Sequence, residues 1–476
     1  MIVLRPYQVD GETEIRQAFV QGFRAPLYVL PTGGGKTILF ASIAQSADRR
    51  GRRVLILAHR VELVDQIVTA LHQFDVKPDI IAAGYQRSKG RFRATDSAIA
   101  VASVQTLVRR LGSYPAPTLI ILDEAHHCAV DNSWDTIIRY YTDAKNLGVT
   151  ATPVRLDGHG LASTFDHLIC GPNVPELIAL GYLVRPRVFV PPTVDTSGLH
   201  VRAGEFRTEE SQALMDVPSI TGDALTHYRK HAADRPGLIF CTSVQHAHNV
   251  AEQFRNAGVS AVSLNGGTDR NVRRMAVQDF REGKIKLLAS CDLFSEGFDV
   301  PGAHVGILLR PTASEGLFLQ QVGRLLRPDA NKDHALILDH VGNTQRFGMP
   351  DEAREWKLTT DIIHRKRTVA GVRVCPRCFA ASTPRAKVCS DCGHVFPIAP
   401  RQELEEREGD LVEMTAEQVA RRRERQTQGM TKELKGLIEL GKRKGYADGW
   451  ALRVYEAREA KRQRKKQKAI EQPRLL

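Results

Sequence analysis

The segment Leu30-Pro31-Thr32-Gly33-Gly34-Gly35-Lys36-Thr37 decides the fold of this chain. It ends an apolar run at 26–30 that is typical of a short buried strand, and it precedes residues 38–44, which have the composition of a helix. A glycine-rich turn between a strand and a helix presents backbone N–H groups, and the positive end of the helix, to a phosphate. The segment therefore predicts a nucleotide-binding loop.

In such loops a lysine after the glycines reaches the terminal phosphates, and the next hydroxyl ligates Mg²⁺. Lys36 and Thr37 hold these two places here. The full pattern also has a glycine five positions before Gly35, where this chain has Leu30, so only the Gly-Lys-Thr end is intact. The predicted phosphate-binding residues of the loop are Thr32, Gly33, Gly34 and Gly35.

Composition limits the classes of protein that fit. A length of 476 residues predicts roughly three domains, and 42% apolar with 25% charged residues is ordinary globular composition. We find no apolar run near the roughly 20 residues of a membrane span and no signal peptide, so we expect a cytoplasmic protein without a membrane partner. The net charge of +13 favours a polyanionic partner, nucleic acid first.

Two series of apolar runs alternating with helical stretches organise the chain. Continuous apolar runs are typical of buried parallel strands, so an α/β fold with two tandem parallel-sheet domains is expected at 1–185 and 226–350. A proline-containing connector is predicted at 186–225 and a linker at 351–372. The remaining predictions are a cysteine module at 373–397 and a charged, helical, partly disordered tail at 398–476.

One predicted strand, at 119–122, ends in two carboxylates, Asp123 and Glu124. Open parallel sheets place their ligand sites at the carboxyl ends of strands. A carboxylate there can hold Mg²⁺ opposite Thr37, and its neighbour can orient and deprotonate an attacking water. We therefore predict Asp123 as a metal ligand and Glu124 as the general base.

Four cysteines form two close pairs with ten residues between them: Cys375, Cys378, Cys389 and Cys392. Four thiolates at this spacing predict a closed, structural Zn²⁺ site, and a disulfide is disfavoured in a cytosolic chain. The module either grips nucleic acid or braces the C-terminal region. Residues 453–476 carry nine Lys/Arg against three Glu, a pattern equally typical of a solvated tail and of a nucleic-acid contact.

Taken in order, these motifs resemble those of the superfamily 2 helicases of the DExH class over nearly all of residues 1–350. The segments 4–8, 57–66, 103–106 and 150–153 are similar to first-domain motifs of that family, and 239–243, 290–301 and 320–327 to second-domain motifs. The resemblance implies two RecA-like domains that clasp ATP and Mg²⁺ between them, with nucleic acid crossing both.

The resemblance also implies roles for individual residues. Gln8 would read adenine, Asp299 would contact the nucleotide, and Arg324 and Arg327 would reach the nucleotide from the second domain. An arginine held against the γ-phosphate stabilises the spreading negative charge, which can supply about 10³- to 10⁵-fold in rate. Nucleic-acid contact or coupling is implied for Arg60, Ser103, Gln105, Thr106, His126, Thr150, Thr152, Ser290 and Gln320.

Finer details resemble the RadD-like and XPB-like group of bacterial and phage DNA helicases. That group implies DNA rather than RNA, a role in repair, recombination or replication, and partners among the proteins of those processes. It also implies the cytoplasm of a bacterial or phage-infected cell. Three alternatives stay open: a double-strand translocase that never separates strands, the motor subunit of a restriction system, and a scaffold that does not respond to ATP.

Overall fold

The computed structural model describes residues 2–85, 97–112, 114–155, 159–190, 199–202, 205–215, 224–232, 234–293, 300, 302–359, 372–396, 434–445 and 449–456. Asp299 lies outside these residues with the rest of 294–299, and so does the basic tail beyond residue 456. The chain divides into two compact units, Met1–Ile398 and Ala399–Leu476.

The first lobe is built on a sheet of seven parallel strands in the order β3-β4-β2-β5-β6-β1-β7. The runs predicted as strands in this lobe form β1, β2, β4 and β5, which are almost wholly buried. The bounds are β1 (Pro26–Val29), β2 (Val54–Ala58), β3 (Asp79–Ile81), β4 (Ile99–Ser103), β5 (Leu119–Asp123), β6 (Lys145–Thr150) and β7 (His167–Cys170).

Helices cover this sheet, and their ends carry recognisable signals. Pro6 occupies the first turn of α1, where its fixed φ and missing N–H suit a helix start. Asn132 caps α5 by accepting from the N–H groups of Trp134 and Asp135. The bounds are α1 (Pro6–Val20), α2 (Lys36–Asp48), α3 (Val61–Gln73), α4 (Val104–Leu107), α5 (Ser133–Tyr140) and α6 (Val174–Ala179), with short 3₁₀ turns at Val108–Arg110 and Ala125–His127.

The second lobe is a parallel six-stranded sheet in the order β12-β13-β11-β14-β15-β8. Its strands are β8 (Arg185–Phe189), β11 (Gly237–Phe240), β12 (Ala261–Ser263), β13 (Leu287–Ser290), β14 (Val305–Leu308) and β15 (His334–Asp339), and a separate hairpin is formed by β9 (Val201–Arg202) and β10 (Glu205–Phe206). Its helices are α7 (Thr208–Met215), α8 (Val244–Asn256), α9 (Arg270–Arg281), α10 (Glu315–Leu325) and α11 (Asn343–Phe347), and residues 224–232 are also helical.

Two predicted boundaries differ from the structure. The connector predicted at 186–225 begins inside β8, which is the edge strand of the second sheet; Pro186 is tolerated there because an edge strand leaves one side of its backbone unpaired. The linker predicted at 351–372 includes ordered residues that return to the first lobe. The N–H of Leu161 donates to the Leu358 carbonyl over 2.9 Å, and Trp356 packs on the first lobe's core.

The cysteine module is a small two-stranded element attached to the second lobe. Its strands are β16 (Arg373–Val374) and β17 (Ala381–Ser382). Phe189 of β8 forms a bridge with Ala380, and Arg187 pairs with Asp391. The module therefore continues the edge of the second sheet.

In the second unit, α12 (Leu434–Lys444) buries Leu437 and Leu440. The Trp450 ring lies against Gly441, with its Cε3 3.3 Å from where a Cβ would stand. The Trp450 side chain therefore packs within this unit. None of the helices in the described part of the chain is long and apolar enough to cross a membrane.

Candidate active site

The glycine-rich loop joins β1 to α2 as the sequence predicts. Gly33 and Gly35 have φ of +87° and +86°, which disfavour any residue with a Cβ. Leu30, which departs from the full pattern, is buried, and its N–H donates to the Thr150 carbonyl over 3.0 Å. Position 30 therefore extends the sheet instead of entering the turn, so this loop does not require glycine there.

Helix α1 is bonded to the loop through two side chains. The Gln8 amide nitrogen donates to the Gly35 carbonyl over 3.0 Å, and the Tyr7 hydroxyl donates to the Gly34 carbonyl over 2.7 Å. The Gln8 amide oxygen accepts from the N–H of Arg5 over 2.9 Å. Gln8 thus lies beside the loop, and its amide braces the loop backbone.

Lys36 and two carboxylates share a buried space below the loop. The Lys36 ammonium donates to the Leu30 carbonyl over 3.3 Å. Burial lowers the pKa of Lys36, although the negative charges of Glu124 and Asp123 act to raise it. Burial, with the charge of Glu124 adding to it, raises the pKa of Asp123 to about 7. Carboxylate and hydroxyl oxygens are the ligands that Mg²⁺ prefers. The Asp123 carboxylate and the Thr37 hydroxyl line one cavity and together fit that ion.

Glu124 adopts an unusual backbone conformation directly after β5. Its φ of +52° and ψ of +51° lie in the left-handed region, which costs a residue with a side chain roughly 1–2 kcal/mol. The side chain lines the same cavity as the loop. Strain of this kind persists where the surrounding structure imposes it, commonly at functional sites.

The second lobe completes the cavity with two arginines. Arg324 and Arg327 line a space of about 170 Å³ together with Lys36, Asp123 and Glu124. The two lobes touch here, because a Cβ on Gly323 would stand 2.6 Å from the Thr32 Cβ. Both arginines therefore lie where a phosphate on the loop would be.

A chain of hydrogen bonds leads from the carboxylates to the other lobe. His126 Nδ1 lies 3.0 Å from the Thr150 hydroxyl, which donates to the Thr152 carbonyl over 3.0 Å. The Gln320 amide nitrogen lies 3.4 Å from His126 Nε2. Because the hydroxyl proton and the amide proton are both donated, this network assigns the imidazole proton to Nδ1.

The other predicted nucleic-acid residues lie away from the cavity, at the carboxyl ends of β2, β4 and β13. Arg60 precedes α3, and the Ser103 hydroxyl donates to the Gln105 amide oxygen over 3.0 Å, with Thr106 beside them. Ser290 ends β13 and accepts from the N–H of Leu293. These positions are compatible with a strand of nucleic acid across both sheets.

Sequence reasoning missed two ion pairs across the cleft. Arg273 of α9 pairs with Glu62 of α3, and Arg270 pairs with Asp65. Arg273 is only 7% exposed and also donates to the carbonyls of Asn265, Gly266 and Thr268. These partners lie more than 200 residues apart in the sequence, so no spacing signal could have paired them.

The four predicted cysteine ligands meet in one cluster. Their sulfurs lie within 4.8 Å of one another, with Cys375 to Cys392 at 3.6 Å and Cys378 to Cys389 at 3.7 Å. Four ligands about 2.3 Å from a tetrahedral ion stand about 3.8 Å apart, so the geometry fits Zn²⁺. Burial alone would raise the pKa of Cys375, but the N–H groups of Cys378 and Arg377 lower it to about 7, whereas burial raises the pKa of Cys378, so Cys375 loses its proton more readily.

Comparisons with known proteins agree with this geometry. Residues 1–155 match the family described as type III restriction enzyme, res subunit, and residues 220–329 match the helicase conserved C-terminal domain. A 51.5 kDa protein of a Lactococcus phage (isolate 7-9) is 34% identical over 397 residues, which cover 82% of each chain. The DNA 3'-5' translocase XPB2 of Sulfurisphaera tokodaii is 25% identical over 389 residues, covering 71% of this chain and 81% of the relative.

A solved structure has the same fold. The fragment described as an HsdR subunit of a type I restriction enzyme from Vibrio vulnificus YJ016 superposes with a TM-score of 0.57 at 23% identity, covering 74% of this chain and 67% of that one. The residues that match the two families lie in the two lobes. The loop, the carboxylates and the arginines line the cavity where these lobes meet. The chain therefore belongs to superfamily 2 of the helicases, the family of ATP-hydrolysing nucleic-acid motors.

Proposed function

We propose that this protein is a DNA-dependent ATPase that uses ATP hydrolysis to move along DNA or to unwind it, in repair, recombination or replication. The observation that carries the proposal is the composite cavity, in which Lys36, Asp123 and Glu124 of one lobe face Arg324 and Arg327 of the other. Because hydrolysis needs residues from both lobes, it takes place only when the lobes close. Each lobe contacts the DNA strand, so closure moves one contact along the strand relative to the other.

Each side chain has one role in the proposed reaction. Lys36 and the loop N–H groups hold the β- and γ-phosphates, and Glu124 takes the proton of the attacking water. Arg324 and Arg327 stabilise the charge that spreads over the transferred phosphoryl group. When bound by Thr37 and Asp123, Mg²⁺ supplies neutralising charge at the phosphate oxygens. We also propose that the four cysteines hold a structural Zn²⁺ ion.

The choice of DNA is supported by relatives and by charge. The archaeal relative is named as a DNA translocase, and the sequence resembles the RadD-like and XPB-like group. The net charge of +13 suits a polyanionic track. Other proteins of DNA repair or replication are the partners that we propose.

The decisive experiment measures the steady-state ATPase rate of the full chain without nucleic acid, and with single-stranded DNA, duplex DNA, forked DNA or RNA. We expect stimulation by one form of DNA and no turnover in the Lys36→Ala variant, which serves as the blank. A rate that no nucleic acid changes would contradict the motor, and stimulation by RNA alone would contradict the choice of DNA.

A second candidate is the motor subunit of a restriction system, favoured by the family matched at residues 1–155. Such a motor moves along duplex DNA without separating its strands. Displacement of a third strand from a triplex, with no release of a strand from a fork, would favour this candidate over a helicase.

A further inference from the structure

A pocket between the cysteine module and the second lobe has no place in ATP hydrolysis. Its cavity of about 210 Å³ is lined by the side chains of Phe189, His227, Lys230, His231, His340 and Phe379, a set that we call the aromatic pocket. Its rings lie close together: the centroids of Phe189 and His231 are 4.2 Å apart, and those of His227 and His340 are 5.2 Å apart.

The mouth of this pocket is formed by a residue in a strained conformation. Phe379 follows Cys378 and has a φ of +61°, and in the second cysteine pair the equivalent place after Cys392 is held by Gly393 with a φ of +70°. The two turns match, because the N–H of Phe379 donates to the Cys375 carbonyl as the N–H of Gly393 donates to the Cys389 carbonyl. Glycine adopts this conformation freely, whereas a residue with a Cβ does so at a cost of roughly 1–2 kcal/mol.

Packing of the Phe379 ring does not offset that cost, because the residue is 42% exposed. Its backbone is nevertheless held in place, since the Phe379 carbonyl accepts from the N–H of Val190 over 3.2 Å. The module and β8 thus fix the backbone that carries this phenyl ring at the pocket mouth. An exposed aromatic ring carried on a fixed backbone is available to stack on a base.

The charges around the pocket indicate the class of ligand. Lys230 is exposed at the rim and makes no ion pair among the described residues. Asp339 also lines the pocket. Its carboxylate is already hydrogen-bonded to the backbone, because it accepts from the N–H groups of Val341, Asn343 and Thr344. The pocket therefore combines aromatic faces with a free positive charge, which suits a base and its phosphate.

A metal ion or a charged organic cation is not favoured here. Among the described residues only the four cysteines form a group that could hold a metal. Burial, helped by the neighbouring His227, lowers the pKa of His340 to about 3, so that its imidazole is neutral at physiological pH. The interior thus offers the uncharged rings of His340 and Phe189 to a flat, uncharged ligand.

The position of the pocket matches the expected path of the strand. Phe189 ends β8 and His340 follows β15, so the pocket lies at the carboxyl edge of the sheet on which Ser290 ends β13. Four strand spacings separate β13 from β8, which is roughly 19 Å. A few extended nucleotides span that distance.

We infer that the aromatic pocket binds one unpaired base of the single strand held by the motor, with Phe379 stacking on the base and Lys230 contacting its phosphate. This inference rests on the proposed nucleic-acid motor and names a contact outside the two lobes' predicted motifs. It also explains what the cysteine module does, since the module holds Phe379 against the second lobe.

The test uses the Phe379→Gly variant of the full chain, because glycine removes the ring and also relieves the backbone strain. We expect a thermal midpoint equal to or above that of the wild type and an unchanged ATPase rate without nucleic acid. Affinity for a single-stranded oligonucleotide should fall by about 5-fold or more, the usual effect of losing one base–aromatic stack. The Phe379→Tyr variant keeps an aromatic ring, so its affinity for the oligonucleotide should equal that of the wild type.

An oligonucleotide series with one abasic site at successive positions distinguishes stacking from a general effect. The wild type should lose affinity at one abasic position, and Phe379→Gly should bind that oligonucleotide as weakly as the intact one. DNA and RNA versions identify the source of the base. Equal affinity of wild type and Phe379→Gly for the intact strand would overturn the inference, whereas a wild type that binds no strand would overturn the motor itself.

Discussion

The amide nitrogen of Gln320 lies 3.4 Å from Nε2 of His126, so one hydrogen bond joins the second lobe to the residue two places after Glu124, the proposed general base. His126 Nδ1 lies 3.5 Å from the Glu124 carboxylate and 3.0 Å from the Thr150 hydroxyl. A movement of the second lobe therefore acts directly on His126, the side chain that lies beside Glu124.

We expect the Gln320→Leu variant to lose much of its stimulation by nucleic acid while ATP binding changes little, because leucine cannot donate to His126. Loss of a hydrogen bond of this kind corresponds to up to about 10-fold in rate. Stimulated and basal ATPase rates are measured side by side. Gln278→Leu on the exposed face of α9 is the matched control, and equal stimulation in the two variants would rule out the coupling role of Gln320.

The two catalytic substitutions should fail in different ways. Lys36→Ala removes the charge that holds the phosphates, so we expect it to lose both ATP binding and turnover. Glu124→Gln keeps the shape but removes the base, so it should bind ATP while turnover falls by about 10²- to 10⁴-fold. Binding of a fluorescent ATP analogue and the ATPase rate separate the two variants, and near-wild-type turnover in either one would refute the site assignment.

A methyl group at Gly323 should keep the lobes apart. The added Cβ would stand 2.6 Å from the Thr32 Cβ, which is closer than real Cβ atoms approach. We therefore expect Gly323→Ala to fold normally but to lose at least about 10-fold in kcat. Gly266→Ala is the matched control because nothing lies within 4 Å of its Cβ position. Equal rates in both variants would show that the closed contact is not needed for turnover.

The ion pair between Arg273 and Glu62 should stabilise the closed cleft. We expect Arg273→Gln and Glu62→Gln each to raise the KM for ATP. Because Arg273→Gln also removes the donors to three backbone carbonyls, the double variant should be little worse than Arg273→Gln alone. The coupling free energy from this double-mutant cycle should be about 1 kcal/mol. Strictly additive effects would show that the pair does not contribute to closure.

Metal analysis tests the cysteine cluster. We expect one zinc ion per chain in the wild type and none in Cys389→Ser, because the remaining three thiolates no longer close the tetrahedron. Cys241→Ser, at a buried cysteine outside the cluster, is the control and should keep its zinc. A wild-type chain that binds iron, visible as a coloured protein, would contradict the assignment of zinc.

The local chemistry of this protein could be predicted from the sequence. Three sites consist of residues that are contiguous or closely spaced in the chain: the loop at Thr32–Thr37, the carboxylates Asp123 and Glu124, and the two cysteine pairs. Residue type and spacing alone therefore predict what each site binds. Strands β1, β2, β4 and β5 were predictable for the same reason, as continuous apolar runs. Strands β6 and β7 were not predicted, because polar residues such as Lys145, Asn146 and His167 interrupt their apolar runs.

Only the tertiary structure decided which distant residues meet. It assigned Arg185–Phe189 to the edge of the second sheet, paired Arg273 with Glu62, and brought Phe379 to a pocket lined by His227 and His340. Backbone turns and metal ligation depend on neighbours in the chain, whereas these contacts depend on how two sheets and a small module pack. The sequence by itself therefore determined the chemistry of the nucleotide loop and the cysteine cluster, and the packing of the lobes decided what those elements act upon.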